Sequence, residues 1–138
     1  MSHPHRSLMA LVLTGCLAIS IGAADADSSH RFVRITPGGL QPATLHLSSG
    51  ERIGWINYSS HIARVSFDRE VARQLVCTEE GSFRATGARL ESHGIQATQF
   101  ASLCELVPGS YLYRVELRSG AGAGAGPHRS LEGRVVVH

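Results

Sequence analysis

From residue 31 onward the chain alternates short segments rich in β-branched and aromatic residues with turn-forming residues, and no long amphipathic helix interrupts them. Such a pattern is typical of an all-β sandwich or barrel. About seven strands are predicted, the number found in a small Greek-key β-sandwich, which is the fold we expect. The predicted strands are residues 31–36, 43–48, 51–57, 61–68, 94–104, 110–117 and 132–138.

The segment between the fourth and fifth predicted strands has the weakest pattern. Residues 69–77 suit one or two helical turns, and the polar, glycine-containing residues 78–94 predict a loop that includes His93. Within the second strand, His46 alternates with two leucines, so we expect its side chain to face solvent.

The first 26 residues have the composition of an export signal. A polar, positively charged start is followed by an apolar run from Leu8 to Ile21 and then by small residues that suit cleavage after Ala24 or Ala26. The sequence therefore predicts a cleaved signal peptide with a short linker, followed by one domain over residues 27–138. We expect the mature protein to be periplasmic or secreted.

A lipoprotein signal is an alternative interpretation of the same segment. Leu13-Thr14-Gly15-Cys16 resembles a bacterial lipobox, in which Cys16 would be acylated and would anchor the protein to the membrane. The apolar run continues past Cys16, and the part before it is short for a signal peptide, which favours plain export. The run is also shorter than the roughly 18 to 20 apolar residues that a transmembrane helix needs.

Two cysteines remain in the predicted domain. Cys77 and Cys104 have 26 residues between them. An even pair in an exported domain is most simply a disulfide, whereas the alternatives are a pair of soft metal ligands or two free thiols.

Charge and motifs exclude several classes of function. The chain has 13 basic residues against 11 acidic ones, and the net charge of +2 is too small and too scattered for a nucleic-acid surface. The sequence contains no nucleophile elbow, no zinc-protease motif, no phosphate-binding loop and no suggestive carboxylate pair. We therefore predict neither an enzyme nor a nucleic-acid-binding protein.

Three motifs, taken in order, resemble the cupredoxin domain of plastocyanin-type and related exported copper proteins. The first is GERIGWIN (residues 50–57), which leads within a few residues to His61. The second is LVPGSYLY (residues 106–113), and the third is HRSLEGRVVV (residues 128–137). The resemblance covers nearly all of the predicted domain and implies a cupredoxin-like β-sandwich.

The resemblance also implies where copper ligands would lie. The family uses two histidines, a cysteine thiolate and a weak axial methionine. The histidines fall on His61 and His128, but Val115 occupies the cysteine position and Leu131 the methionine position. Aliphatic residues of similar size are typical of a site converted to packing. Twelve residues, rich in glycine and alanine, separate Val115 from His128, and such a spacer is flexible.

The sequence therefore predicts a module without the type 1 copper centre and without another cofactor, whose partner is an envelope protein. The alternative is a copper-binding protein that uses His61 and His128 as a carrier, sensor or electron-transfer partner. A third interpretation, in which Cys104 supplies the missing thiolate, requires Cys104 to be reduced and close to both histidines. Cys104 precedes the Pro-Gly turn and has Cys77 as a partner, which disfavours it.

Overall fold

The computed structural model describes residues 30–77, 81–120 and 129–138. These residues form ten strands and one 3₁₀ helix at Arg69–Gln74. The strands are β1 (His30–Thr36), β2 (Gly39–Gln41), β3 (Thr44–Leu47), β4 (Arg52–Asn57), β5 (Ile62–Asp68), β6 (Phe83–Thr86), β7 (Arg89–Ser92), β8 (Phe100–Leu103), β9 (Gly109–Arg118) and β10 (Arg129–Val137).

The strands are arranged in two mixed sheets. The four-stranded sheet has the order β2-β1-β4-β8, and its only parallel pair is β1 with β4. The six-stranded sheet has the order β3-β10-β9-β5-β7-β6, and its only parallel pair is β3 with β10. The predicted all-β sandwich is therefore confirmed, although the described residues form ten strands rather than about seven.

Alternating side chains of both sheets form one apolar core. Trp55 of β4 lies at its centre and contacts three aromatic rings of the other sheet, those of Phe67, Phe83 and Tyr113, with ring centroids 5.3 to 5.8 Å apart. Trp55 has no exposed surface. Because aromatic rings bury a large area and prefer such tilted contacts, this cluster joins the two sheets.

The prediction of a loop over residues 78–94 is wrong for most of the residues in this range that the structure describes. Residues 83–92 instead form the β6–β7 hairpin at the edge of the six-stranded sheet, with Phe83 and Leu90 buried in the core. Gly87 supplies the positive φ of 57° that the tight turn needs. His93 follows the hairpin and lies exposed outside the strands, as predicted.

Two neighbouring predictions have different outcomes. The one or two helical turns expected within residues 69–77 are confirmed by the 3₁₀ helix. The strand expected over residues 94–104 is shorter, because Thr98 has a φ of 67° and a turn precedes β8. Ile95 forms only an isolated bridge with Ala63.

The predicted disulfide is confirmed. Cys77 and Cys104 are bonded, with their Cα atoms 6.3 Å apart. The bridge ties the segment after the 3₁₀ helix to the end of β8, next to the backbone pairing of Leu75 with Leu106. Cys104 is therefore not a free thiolate, which contradicts both the soft-ligand alternative and the substitute-thiolate interpretation.

Within the described ranges, no helix is long and apolar enough to cross a membrane.

Candidate functional site

The two positions where the resemblance expects sulfur ligands lie side by side in the sheet. Val115 on β9 pairs with Leu131 on β10 and, on its other side, with Val65 on β5. Val115 and Val65 have no exposed surface, and Leu131 is half-buried against the same core. We call these three residues the aliphatic row. No side-chain atom of the row can donate an electron pair to a metal ion.

His61 lies at the end of the sandwich where β9 ends and β10 begins. It directly precedes β5, and its neighbour Ile62 pairs with Arg118, the last residue of β9. The side chain is half-buried, with Nδ1 3.5 Å from the Ser60 hydroxyl. His128, the second expected ligand, lies outside the described residues, as does Cys16 with the predicted signal peptide.

A buried amide fixes the backbone around His61. The Asn57 side-chain nitrogen donates to the carbonyl oxygens of His61 (2.7 Å) and Ile95 (2.8 Å). Its oxygen accepts from the backbone nitrogen and the hydroxyl of Ser59, over 2.9 and 2.7 Å. Both donor hydrogens and the acceptor oxygen of this fully buried amide therefore have partners. These hydrogen bonds hold the backbone at His61 in a fixed position.

Tyr113 packs next to the aliphatic row on the same face of β9. Its ring lies over Gly133, where any Cβ would collide with the ring. The Tyr113 hydroxyl and the Trp55 indole nitrogen are buried, and neither has a hydrogen bond of standard geometry. Burial raises the pKa of Tyr113 to about 12, although the nearby indole N–H of Trp55 offsets part of the rise.

Two features of the structure were not predicted from the sequence. Gly133 belongs to the third motif, but its role of making room for Tyr113 depends on the β9–β10 register. His46 is exposed, as predicted, but its partner His138 was missed.

Among the described residues, no group of three or more His, Cys, Asp or Glu side chains is arranged to hold a metal ion.

The described part of the chain has a cupredoxin-like fold. Among solved structures, it is similar to a reduced tryptophan-to-tyrosine mutant of amicyanin, with 22% identity, a TM-score of 0.51, and coverage of 84% of this chain and 88% of that one. An oxidised mutant of amicyanin gives 24% identity with the same TM-score and coverage. Amicyanin from Paracoccus versutus (Thiobacillus versutus) gives 17% identity, a TM-score of 0.52, and coverage of 84% and 86%.

These similarities show the fold. At this level of identity they do not show whether this chain has a copper site. No protein-family model matches the chain, and no curated protein is similar to it.

Proposed function

We propose that this protein is an exported cupredoxin-like module in which packing has replaced the type 1 copper centre. It would act as a non-redox binding or accessory module of the bacterial envelope rather than as an enzyme or an electron carrier. The observation that carries the proposal is the aliphatic row, in which Val115 and Leu131 occupy the expected cysteine and methionine positions.

The chemistry of a type 1 site explains why this observation is decisive for the proposal. Such a site depends on a short bond between copper and a thiolate, with a thioether as weak axial ligand. Valine and leucine offer neither, and Val115 is sealed from solvent between Val65 and Leu131. The residues present therefore do not fit a type 1 copper ion.

The length of the spacer supports the same conclusion. Twelve residues separate Val115 from His128, and seven of them, residues 120–126, are an uninterrupted alternation of glycine and alanine. Ordering such a chain around a metal ion costs about 1 kcal/mol or more for each residue fixed. Because the composition of the spacer predicts a flexible chain, we expect it to weaken any site that needs His128.

The disulfide supports export. Disulfides persist in oxidising compartments such as the periplasm and are rare in the cytosol. Export through the predicted signal peptide, with the lipoprotein form as its variant, therefore remains part of the proposal. The partner would be an envelope protein that recognises the sandwich.

One observation favours a second candidate function. The Asn57 hydrogen bonds hold the backbone of His61 at the end of the sandwich where β9 ends, which would suit a fixed metal ligand. In this alternative, His61 and His128 bind copper, and water or a partner completes the coordination.

The metal content of the purified protein distinguishes the two functions. We expect the copper and zinc content of the wild type to equal that of a His61→Ala/His128→Ala variant, because the proposal gives these two histidines no metal. Stoichiometric copper in the wild type that disappears in the double variant would contradict the proposal and establish the second function. His93→Ala, which changes an exposed loop histidine, is the matched control.

A further inference from the structure

Two histidines far apart in sequence meet on the outer face of the six-stranded sheet. Nδ1 of His46 lies 3.0 Å from Nε2 of His138, across 92 residues of sequence. His46 belongs to β3, the edge strand, and His138 directly follows β10. Both side chains are exposed, so solutes in the surrounding water can reach the pair.

The backbone holds both histidines in place. His46 pairs with Val136 in the parallel β3–β10 ladder, and His138, two residues further along, points to the same face. The His138 nitrogen donates to the Leu47 carbonyl over 3.0 Å, and its own carbonyl accepts from the backbone nitrogen and hydroxyl of Ser49 over 3.2 and 2.8 Å. The pair is thus built into the sheet edge, and little backbone order remains to be gained on binding a ligand.

The two rings meet edge to edge. Their planes differ by 9° and their centroids are 5.3 Å apart. The 5.3 Å between centroids is as long as the 3.0 Å between the nitrogens allows once the distance from each nitrogen to its own ring centre is added. The two nitrogens therefore lie on the line that joins the ring centres. Face-to-face stacking is therefore excluded, and the in-plane orbitals of the two nitrogens point at each other.

This arrangement has a specific chemical consequence. In the metal-free pair one imidazole donates an N–H to the other, which accepts it through its lone pair. The donor can move its proton through solvent to its outer nitrogen, which leaves two lone pairs facing each other with no net release of protons. Two opposed nitrogen donors are the coordination that monovalent d¹⁰ ions, Cu(I) and Ag(I), accept.

We propose that His46 and His138 form a surface site for a monovalent soft cation of the Cu(I) class, bound in line between Nδ1 of His46 and Nε2 of His138. With metal–nitrogen bonds of about 2.0 Å, an in-line ion separates the nitrogens by about 4 Å, so the rings move apart by about 1 Å. Both side chains are exposed and can move this far. Ions such as Zn(II), which need four converging donors, are disfavoured because the pair supplies two opposed ones.

The test uses Ag(I) as a redox-inert probe. Silver nitrate is titrated into the full-length protein in chloride-free buffer, in a Cys16→Ser background that removes the cysteine outside the disulfide. Imidazole nitrogen NMR signals are followed at the same time. We expect one tight equivalent of Ag(I) and shifts of His46 Nδ1 and His138 Nε2, with no comparable binding of Zn(II).

Single substitutions decide whether the pair forms the site. His46→Gln or His138→Gln should each weaken Ag(I) binding by at least about tenfold, because each removes one of two ligands. The matched control His30→Gln changes an exposed histidine on the other sheet and should leave the affinity unchanged. Unchanged binding in either pair variant, or equally tight Zn(II) binding at these nitrogens, would overturn the proposal.

This site and the one considered under the proposed function fail independently. The His61→Ala/His128→Ala variant keeps the pair intact, so tight Ag(I) binding should persist in it. Loss of binding in that variant with retention in His46→Gln would overturn the surface site and assign the ion to the end of the sandwich.

Discussion

Leu131 lies directly opposite Val115 in the antiparallel pairing of β9 with β10. These two residues stand where the cupredoxin resemblance expects a methionine and a cysteine, and Val65 extends the same row onto β5. The interaction between them is apolar packing, which stabilises the sandwich by roughly 25 cal/mol for each Å² removed from water. The positions have thus kept a structural use while lacking the atoms that copper chemistry needs.

A polar atom introduced into the aliphatic row should lower the stability of the protein. Val115→Thr keeps the shape of the side chain but buries a hydroxyl without an evident partner, and we expect the free energy of unfolding to fall by about 1 to 3 kcal/mol. Urea denaturation measures the change. The control Val136→Thr, on the half-buried outer face of β10, should cost much less. Equal effects of the two substitutions would contradict the account of the row.

Gly133 should resist even the smallest substitution. A Cβ at this position would collide with the ring of Tyr113, which packs between the sheets, so Gly133→Ala must displace the ring or the strand. We expect the free energy of unfolding to fall by about 1 to 3 kcal/mol. Gly120→Ala is the matched control, because nothing lies within 4 Å of its Cβ. Thermal unfolding of the two variants side by side tests the expectation.

The stability of the fold should depend on the amide group of Asn57, and a side chain of the same size without an N–H donor should not replace it. In Asn57→Asp the carboxylate cannot donate to the carbonyls of His61 and Ile95, and it places a charge in a fully buried position. We expect a loss of about 2 to 4 kcal/mol in the free energy of unfolding, measured by urea denaturation at neutral pH. Ser60→Ala, which changes an exposed neighbour of His61, should leave stability nearly unchanged. A stable Asn57→Asp protein would show that the network is dispensable.

Stability should fall in alkaline solution because of Tyr113. Its pKa is raised from 10.0 to about 12 in the folded protein, so the unfolded chain releases the phenolic proton first as the pH rises. The contribution of the protonated phenol is therefore complete below pH 10 and is lost progressively toward pH 12.

Denaturation curves of Tyr113→Phe between pH 9 and 12 test this dependence. The variant should lose less stability over that range than the wild type. Tyr58→Phe, which changes an exposed phenol, should behave like the wild type because Tyr113 is intact. If the wild type and Tyr113→Phe curves fell in parallel, the burial of the Tyr113 phenol would not be the cause.

The strands with strict alternation could be predicted from the sequence, and the others could not. In β9 the buried residues Tyr113, Val115 and Leu117 alternate with exposed or half-buried ones, so the sequence indicates both the strand and the face that it buries. The β6–β7 hairpin was missed because polar residues surround its two buried apolar residues, Phe83 and Leu90. Its burial is decided by pairing with β5, which is a tertiary contact.

The site was predictable only in part, for a similar reason. Val115 and Leu131 were located by motif, but their direct contact depends on the β9–β10 register. The meeting of His46 with His138 depends on a parallel pairing between strands that are distant in sequence, and no local pattern encodes such a pairing. The four hydrogen bonds of the Asn57 side chain likewise form only once β4, the turn after it and the distant segment around Ile95 have come together.

The visible absorption spectrum after addition of Cu(II) to the oxidised protein tests the central claim most directly. Because the Cys77–Cys104 disulfide and the aliphatic row leave no thiolate at the expected site, we predict no intense blue band from charge transfer between a thiolate and copper. An intense blue colour with one equivalent of Cu(II), lost in a His61→Ala variant, would contradict the claim that packing has replaced the copper centre.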